Sequence, residues 1–379
     1  GCSLLSQQVV KEMLAAQWGV GDVMTVTAVA AALGLGRLVS LPFAGPLSDK
    51  LGRRISVLIG AASYVIFFIG IAFSPNIQVA YVAAVLGGIA NSFLDTATYP
   101  AVTEIIHKFT GIATMGIKFF ISIAQLLMPF FLGVAAGTSL SYAALPVAGG
   151  IAIGILGVLA IFAPMPAGNA AAKSESFISS LKNANFSVES IALILIGFTS
   201  TATFQLWLNC AQTFGKEIAG IPSGSVAMMQ TYYSAGTLIA LVVTALLTRK
   251  IKDVRFIVIY PVICLATLIV VLTGQNQTLM IAGAFIIGWA GAGGLLQIAT
   301  SVCNMLFPKI KGTVTALVMI ASSLCNYTIL TAASKMQPSQ VMVMNIVLTT
   351  IGVVLGLFVN LRYTSMVEQA QADNQEKIY

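Results

Sequence analysis

Charge is what this sequence has least of. Of its 379 residues only 8% are Asp, Glu, Lys or Arg, while 58% are hydrophobic; soluble domains carry about 25% charged residues. A soluble chain could not hide that much apolar surface and still present a polar exterior, so the composition requires lipid as a solvent. Histidine occurs once and cysteine five times. No CxxC pair occurs, which leaves neither a zinc site nor a disulfide framework to read. No Walker A loop is present, so the sequence gives no support for ATP-driven work. A charged start and a cleavage site are missing from the opening stretch, so no cleavable signal peptide is read there. GCSLLSQQVV resembles the second half of a helix instead, and the chain is expected to begin inside its first span.

What is present is a series of long apolar runs. A helix needs about 20 apolar residues to cross a bilayer. Candidates fall near 1–12, 23–45, 54–73, 78–104, 112–137, 142–163, 189–212, 225–247, 255–273, 278–306, 312–334 and 340–361. The sequence therefore predicts an all-α membrane protein of twelve transmembrane helices, the first incomplete. Between 164 and 188 the chain turns small, polar and proline-bearing, which reads as a linker. The predicted domains are a six-helix bundle over 1–163, a cytoplasmic linker over 164–188, and a second six-helix bundle with a tail over 189–379.

The net charge of +7 is not read as a nucleic-acid signal, because the basic residues sit in short loops between apolar runs. Most of them share the side of the 46–53 loop, while Lys11, Lys216 and Lys335 are assigned to the other side. The excess of Lys and Arg marks the cytoplasmic side. That assignment predicts a multi-pass plasma-membrane protein (a cell inner membrane in a bacterium) with both termini inside.

The two halves repeat each other. Shifted by 200, LSDKLGRRISVLI lies over LTRKIKDVRFIVI, and Gly36 meets Gly236. Shifted by 201, Gly87 meets Gly288, Gly111 meets Gly312, Thr114 meets Thr315 and Ser122 meets Ser323. Parallel repeats of six spans, with a solute held between them at mid-membrane, are one large transporter architecture.

One turn carries a family resemblance. The segment Gly45-Pro46-Leu47-Ser48-Asp49-Lys50-Leu51-Gly52-Arg53-Arg54 matches every fixed position of G-x-L-(A/S)-D-(R/K)-x-G-(R/K)-(R/K). It resembles the signature between the second and third helices of the major facilitator superfamily, and with the half-repeat the resemblance covers essentially the whole chain. It implies two pseudo-symmetric six-helix bundles and a gating role for Gly45, Asp49, Gly52, Arg53, Arg54 and Glu104. Asp49 is expected to cap the eleventh span and hold the halves together in the outward-facing state. Arg53 is expected to pair with Asp49 and Glu104. Gly45 and Gly52 are read as allowing close helix approach and a tight turn.

Few ionisable residues lie at membrane depth, and each is costly there. Arg37 is placed roughly 18 Å above the 46–53 loop, Asp95 roughly 13 Å above the same face and Lys118 roughly 10 Å in, from a rise of about 1.5 Å per residue. These three are the proton-coupling candidates. Asp95 leads, because its repeat counterpart is Leu296 and the fold itself needs no carboxylate there. A static Asp95–Arg37 pair that locks the bundle is the competing reading.

Amides and phenols at helical spacing are the solute-binding candidates: Asn91 and Tyr99 beside Asp95, Gln125 in the fifth span, Gln205, Asn209 and Gln212 in the seventh, Tyr233 in the eighth, Gln297 in the tenth and Asn326 in the eleventh. Charge in one half and amides in the other is similar to sugar permeases of the fucose permease kind. The fifth span reads Met128-Pro129-Phe130-Phe131-Leu132-Gly133, a poor match to the glycine-rich element of drug antiporters in the superfamily. The resemblance thus implies a monomeric, cofactor-free secondary transporter, not an enzyme. It would move a small polar solute (a sugar or small organic acid) with protons by alternating access, a drug/proton antiporter being the alternative.

Overall fold

The computed structural model describes residues 2–105, 110–137, 143–165, 187–247, 251–306 and 311–376. The predicted linker at 164–188 falls almost wholly outside them. After a helical turn at Cys2–Leu5 come α1 (Gln8–Trp18), α2 (Thr27–Leu51), α3 (Arg53–Phe73), α4 (Ile77–Ile105), α5 (Thr110–Gly137) and α6 (Ala144–Phe162). The second series is α7 (Val188–Glu217), α8 (Ser223–Leu247), α9 (Asp253–Gly274), α10, α11 (Lys311–Ala333) and α12 (Pro338–Glu376). In α10, Gln277–Ile286 continues through π-helical Ile287–Ala292 to Leu295–Leu306. Among the described residues ten helices are long and apolar enough to cross a membrane; α5 adds a shorter apolar stretch, Phe119–Val134, and α1 has 11 residues. No strand occurs among the described residues.

Local chemistry sets the ends. Gly19 at φ 66° stops α1, its N–H bonding Ala15 O and Ala16 O, as a left-handed residue commonly does at a helix C-terminus. The Asp22 carboxylate then accepts from Met24 N and starts the next helix. Gly52, at φ 96°, is the single residue between α2 and α3. A β-carbon is strained in that conformation, so this is where the signature turn requires glycine. Gly45 is different. A Cβ there meets nothing within 4 Å, so close helix approach is not its role, contrary to the reading from sequence.

Glycine does set the helix crossings, and it does so twice. A Cβ at Gly36 would overlap Val85 O, and one at Gly88 would overlap Leu33 O, so α2 and α4 touch backbone to backbone. In the second half, Gly236 meets Phe285 O and Gly288 meets Tyr233 O in the same way, joining α8 and α10. Every one of these positions is paired with its counterpart at an offset of 200. The partner of Gly288 is therefore Gly88, not Gly87. The offset of 201 begins only beyond Ile287–Ala292, because a π turn takes one residue more than an α turn. The Thr237 hydroxyl lies 3.1 Å from Tyr233 O in its own helix and 3.2 Å from Gly288 O, sharing its one proton between them.

One apolar core lies wholly in the second half, built around Phe214, Phe256, Tyr260, Leu268 and Ile287. A second gathers Leu14, Trp18, Phe67, Phe68 and Ile71 of the first half, and also takes in Leu206 and Cys210 of α7 and Leu330 of α11. The halves meet mainly where α2 packs on α11 and α5 on α8, with α1 and its preceding turn against α7. Below, the basic face is the side of the Gly45–Arg54 turn and the far face is the side of the α1–α2 and α7–α8 loops.

Candidate functional site

The charged centre follows from the glycine crossing. With α2 and α4 in backbone contact, Ser92 Oγ donates to Arg37 O at 3.3 Å. One turn on, Arg37 Nη2 donates to Asp95 Oδ2 at 2.9 Å, with 24% and 34% of the two side chains exposed. The same guanidinium nitrogen lies 3.9 Å from Met319 Sδ of α11, so the pair sits against the opposite half. Because α2 runs on to Leu51, Arg37 falls near the middle of its helix and not in the inner half. Tyr99 follows Asp95 by one turn of α4, and Asn91 precedes it by one turn and accepts from the Tyr64 hydroxyl. Tyr64, on α3, was not singled out from sequence. The side chains of Lys118 and Glu104 lie outside the described residues.

Four buried side-chain polar atoms have no hydrogen-bond partner among the described residues: Arg37 Nε, Ser56 Oγ, Gln297 Oε1 and Asn326 Oδ1. Asn326 stands where α11 crosses α2, its Cβ 2.7 Å from where a Cβ on Gly34 would lie. Buried polar groups left unpaired are uncommon and call for an explanation. Gln125, the repeat counterpart of Asn326, donates instead to Ser3 Oγ at 2.9 Å, within its own half. In the second half Thr201 Oγ1 donates to Ser322 Oγ at 2.8 Å, joining α7 to α11.

Toward the far face the polar stripe of α7 meets α1. Asn209 is buried and donates to Gln205 O at 2.9 Å and to Gln205 Oε1 at 3.2 Å. Gln212 accepts from Gln8 N at 2.7 Å and donates to Gln7 Oε1 at 3.4 Å. Thr213 Oγ1 donates to Gln8 Oε1 at 2.7 Å, and Lys216 Nζ lies 2.6 Å from Glu12 Oε1. Gln212 is thus engaged with α1 and its preceding turn, while Tyr233 is buried beside it in a small crevice with Trp207 and Gln230. Lys11 overturns its assignment to a loop. It is 0% exposed inside α1 and donates to Thr27 Oγ1 at 3.2 Å and to Asn209 O. The sequence held a usable signal, because Gly19 and Gly21 mark the true loop and place Lys11 two turns inside the helix.

At the basic face Arg53 Nη1 holds Asp49 Oδ1 at 2.5 Å and Ser48 Oγ at 3.1 Å. Ser48 Oγ donates to Thr96 O at 3.2 Å, and Arg54 Nη2 donates to Ala163 O at 2.9 Å. The turn is therefore tied to α4 and to the end of α6. Among the described residues Asp49 bonds Arg53 and not the N-terminus of α11. No cluster of His, Cys, Asp or Glu that could hold a metal occurs among the described residues.

Among the described residues, two glycine-locked helical repeats, with an ion pair inside the first that faces the second, form a membrane transporter fold. A model of the Major Facilitator Superfamily matches residues 8–327, and the chain belongs to that family. It is a multi-pass transport protein and not an enzyme. It is 36% identical over 324 residues to the uncharacterized MFS-type transporter YfkL of Bacillus subtilis, covering 83% of this chain and 80% of the relative. It is 32% identical over 346 residues to the inner membrane transport protein YdiM of Escherichia coli, covering 89% and 85%. A solved D-xylose–proton symporter shares the fold with a TM-score of 0.74 at 15% identity, over 94% of this chain and 93% of that one.

Proposed function

We propose that this chain is a proton-coupled symporter that moves a small polar solute, a sugar or a small organic acid, by alternating access. The observation that carries the reading is the Arg37–Asp95 ion pair, half-buried between the halves and in contact with Met319. In this reading Asp95 carries the proton, with Arg37 as its partner when the carboxylate is charged. The solved symporter of this fold is described as moving D-xylose with protons, which lends support. The unpaired amide oxygens of Gln297 and Asn326 support a solute bearing hydroxyls, since a hydroxyl offers them the donor they lack. Gln205, Asn209, Tyr99 and Asn91 extend the same site, while Gln212 contributes to closure.

In this reading the two bundles comprise residues 1–163 and 189–379 with the 164–188 linker between them, and the basic face is cytoplasmic with both termini on that side. The protein works as a monomer in the plasma membrane. The bonds between α1 and α7 close the far face and leave the site facing inward. The test is thermal stabilisation of the purified protein by panels of sugars, organic acids and amphipathic cations. A ligand that binds only the folded state raises apparent stability by about 2.7 kcal/mol at 100 times its Kd. Stabilisation by sugars or acids supports the reading, and stabilisation by amphipathic cations alone overturns it in favour of drug export.

A further inference from the structure

Lys11 is the charge this reading leaves unused. Its side chain is fully buried in α1, a place where an ammonium is expensive unless it is held by several partners. Its partners come from both halves: Thr27 Oγ1 at the start of α2, and the backbone oxygen of Asn209 on α7. Asn209 in turn binds Gln205 through its side-chain amide. Glu217, at the end of α7, lies within electrostatic reach of Lys11, Glu12, Lys216 and Asp22, so the far face is a mixed-charge cluster around this lysine.

The first helix cannot follow α7 when that face opens. Trp18 Nε1 donates to Ser74 Oγ at 2.8 Å and Gln17 Nε2 to Ser74 O at 2.7 Å, pinning the end of α1 to the end of α3 in its own half. Opening must therefore break the bonds of Lys11 to Asn209, of Glu12 to Lys216 and of Gln8 to Gln212. Of these, the Lys11 bond is the one that joins a buried charge to a residue, Asn209, whose side chain belongs to the candidate solute site.

We propose that Lys11 is the positioning residue that couples the Gln205–Asn209 amides of α7 to closure of the far face. Its ammonium fixes the α7 backbone at Asn209 when the halves meet, which sets the register of the two amides toward a solute. Separation of the halves strips one acceptor from that ammonium and frees the amides. The inference rests on the alternating-access reading, yet its test needs no solute.

The test places spin labels at Gly21→Cys and Ser223→Cys, exposed positions in the α1–α2 loop and at the start of α8, in the full chain carrying Cys2→Ser. Cys210, Cys264, Cys303 and Cys325 are buried and label poorly. Distances are read by pulsed electron paramagnetic resonance in lipid nanodiscs. Lys11→Met keeps the apolar stem and removes the ammonium, and it is expected to raise the long-distance population about tenfold, as loss of a charge-assisted hydrogen bond would. Lys11→Arg keeps the charge and is expected to retain the short distance. Thr27→Val removes one acceptor of the ammonium and is expected to shift the population in the same direction by less, which keeps the test alive if Lys11→Met folds poorly. A Lys11→Met or Thr27→Val distribution that superimposes on wild type, even with a lowered melting temperature, would make Lys11 a packing residue and overturn the proposal. A failed uptake assay would count against the transport reading alone, because these distances do not depend on it.

Discussion

Asp95 of α4 accepts from Arg37 of α2 at 2.9 Å, and the arginine simultaneously touches Met319 on the other half of the molecule. The pair exists because two glycines, Gly36 and Gly88, let α2 and α4 approach without side chains between them. Sequence reading had left open whether the pair locks the bundle or carries a proton. The 24% and 34% exposure of the two side chains means that neither is sealed away, as a purely static lock would be.

Asp95→Asn separates these roles. The amide mimics a protonated carboxyl, so solute exchange should persist while accumulation driven by a pH gradient is lost. If the pair were only structural, stranding Arg37 would destabilise the fold by up to about 3–5 kcal/mol, less in proportion to its remaining exposure. Arg37→Gln in the same chain should then restore the melting temperature. Paired exchange and melting measurements on the single and double variants distinguish the two.

The signature turn offers a contrast between two glycines. Gly52→Ala forces a β-carbon onto φ 96° and should destabilise by about 1–2 kcal/mol. Gly45→Ala lies inside α2 facing open space, where alanine favours the helix by about 0.8–1.0 kcal/mol, so its melting temperature should hold or rise. Thermal denaturation in detergent reads both. Equal losses would return Gly45 to a packing role.

Asp49→Asn removes one member of a half-exposed ion pair that is worth about 0.2–1 kcal/mol. Folded yield should hardly change. Transport should slow if, as the proposed cycle requires, the aspartate leaves Arg53 to cap the N-terminus of α11 in the outward-facing state. An unchanged transport rate would reduce Asp49 to a local partner of Arg53.

Thr237→Val tests the π turn of α10. It keeps the shape of the side chain and removes the donor to Gly288 O, so it should cost about 0.5–1.5 kcal/mol. Thr267 bonds only within its own helix, to Ile263 O, so Thr267→Val should cost less. Equal losses would mean that the Gly288 carbonyl is adequately paired without Thr237.

Much of this fold was legible because hydropathy and repetition are cumulative signals. Twelve apolar runs and a consistent offset survive errors at any single residue. Even the change of offset from 200 to 201 was visible, but its cause was not. A one-residue π insertion leaves no mark of its own in the sequence, and only the matched carbonyl contacts of Gly88 and Gly288 locate it. Lys11 was misread because basic residues count as loop markers in a topology reading, and that convention hides a lysine buried two turns inside a helix. The bonds of Gln212 to Gln7 and Gln8 were equally beyond reach. They join residues from opposite halves, and no periodicity within one helix records what faces it.

The most direct test of the account is uptake by the purified full chain in proteoliposomes, using the sugar or acid that gives the largest thermal stabilisation. With the outside made acidic, wild type should accumulate the solute above its external concentration, a protonophore should collapse that gradient, and Asp95→Asn should exchange solute without accumulating it. Accumulation that survives the protonophore, or that a well-folded Asp95→Asn protein sustains, would contradict proton coupling through the Arg37–Asp95 pair.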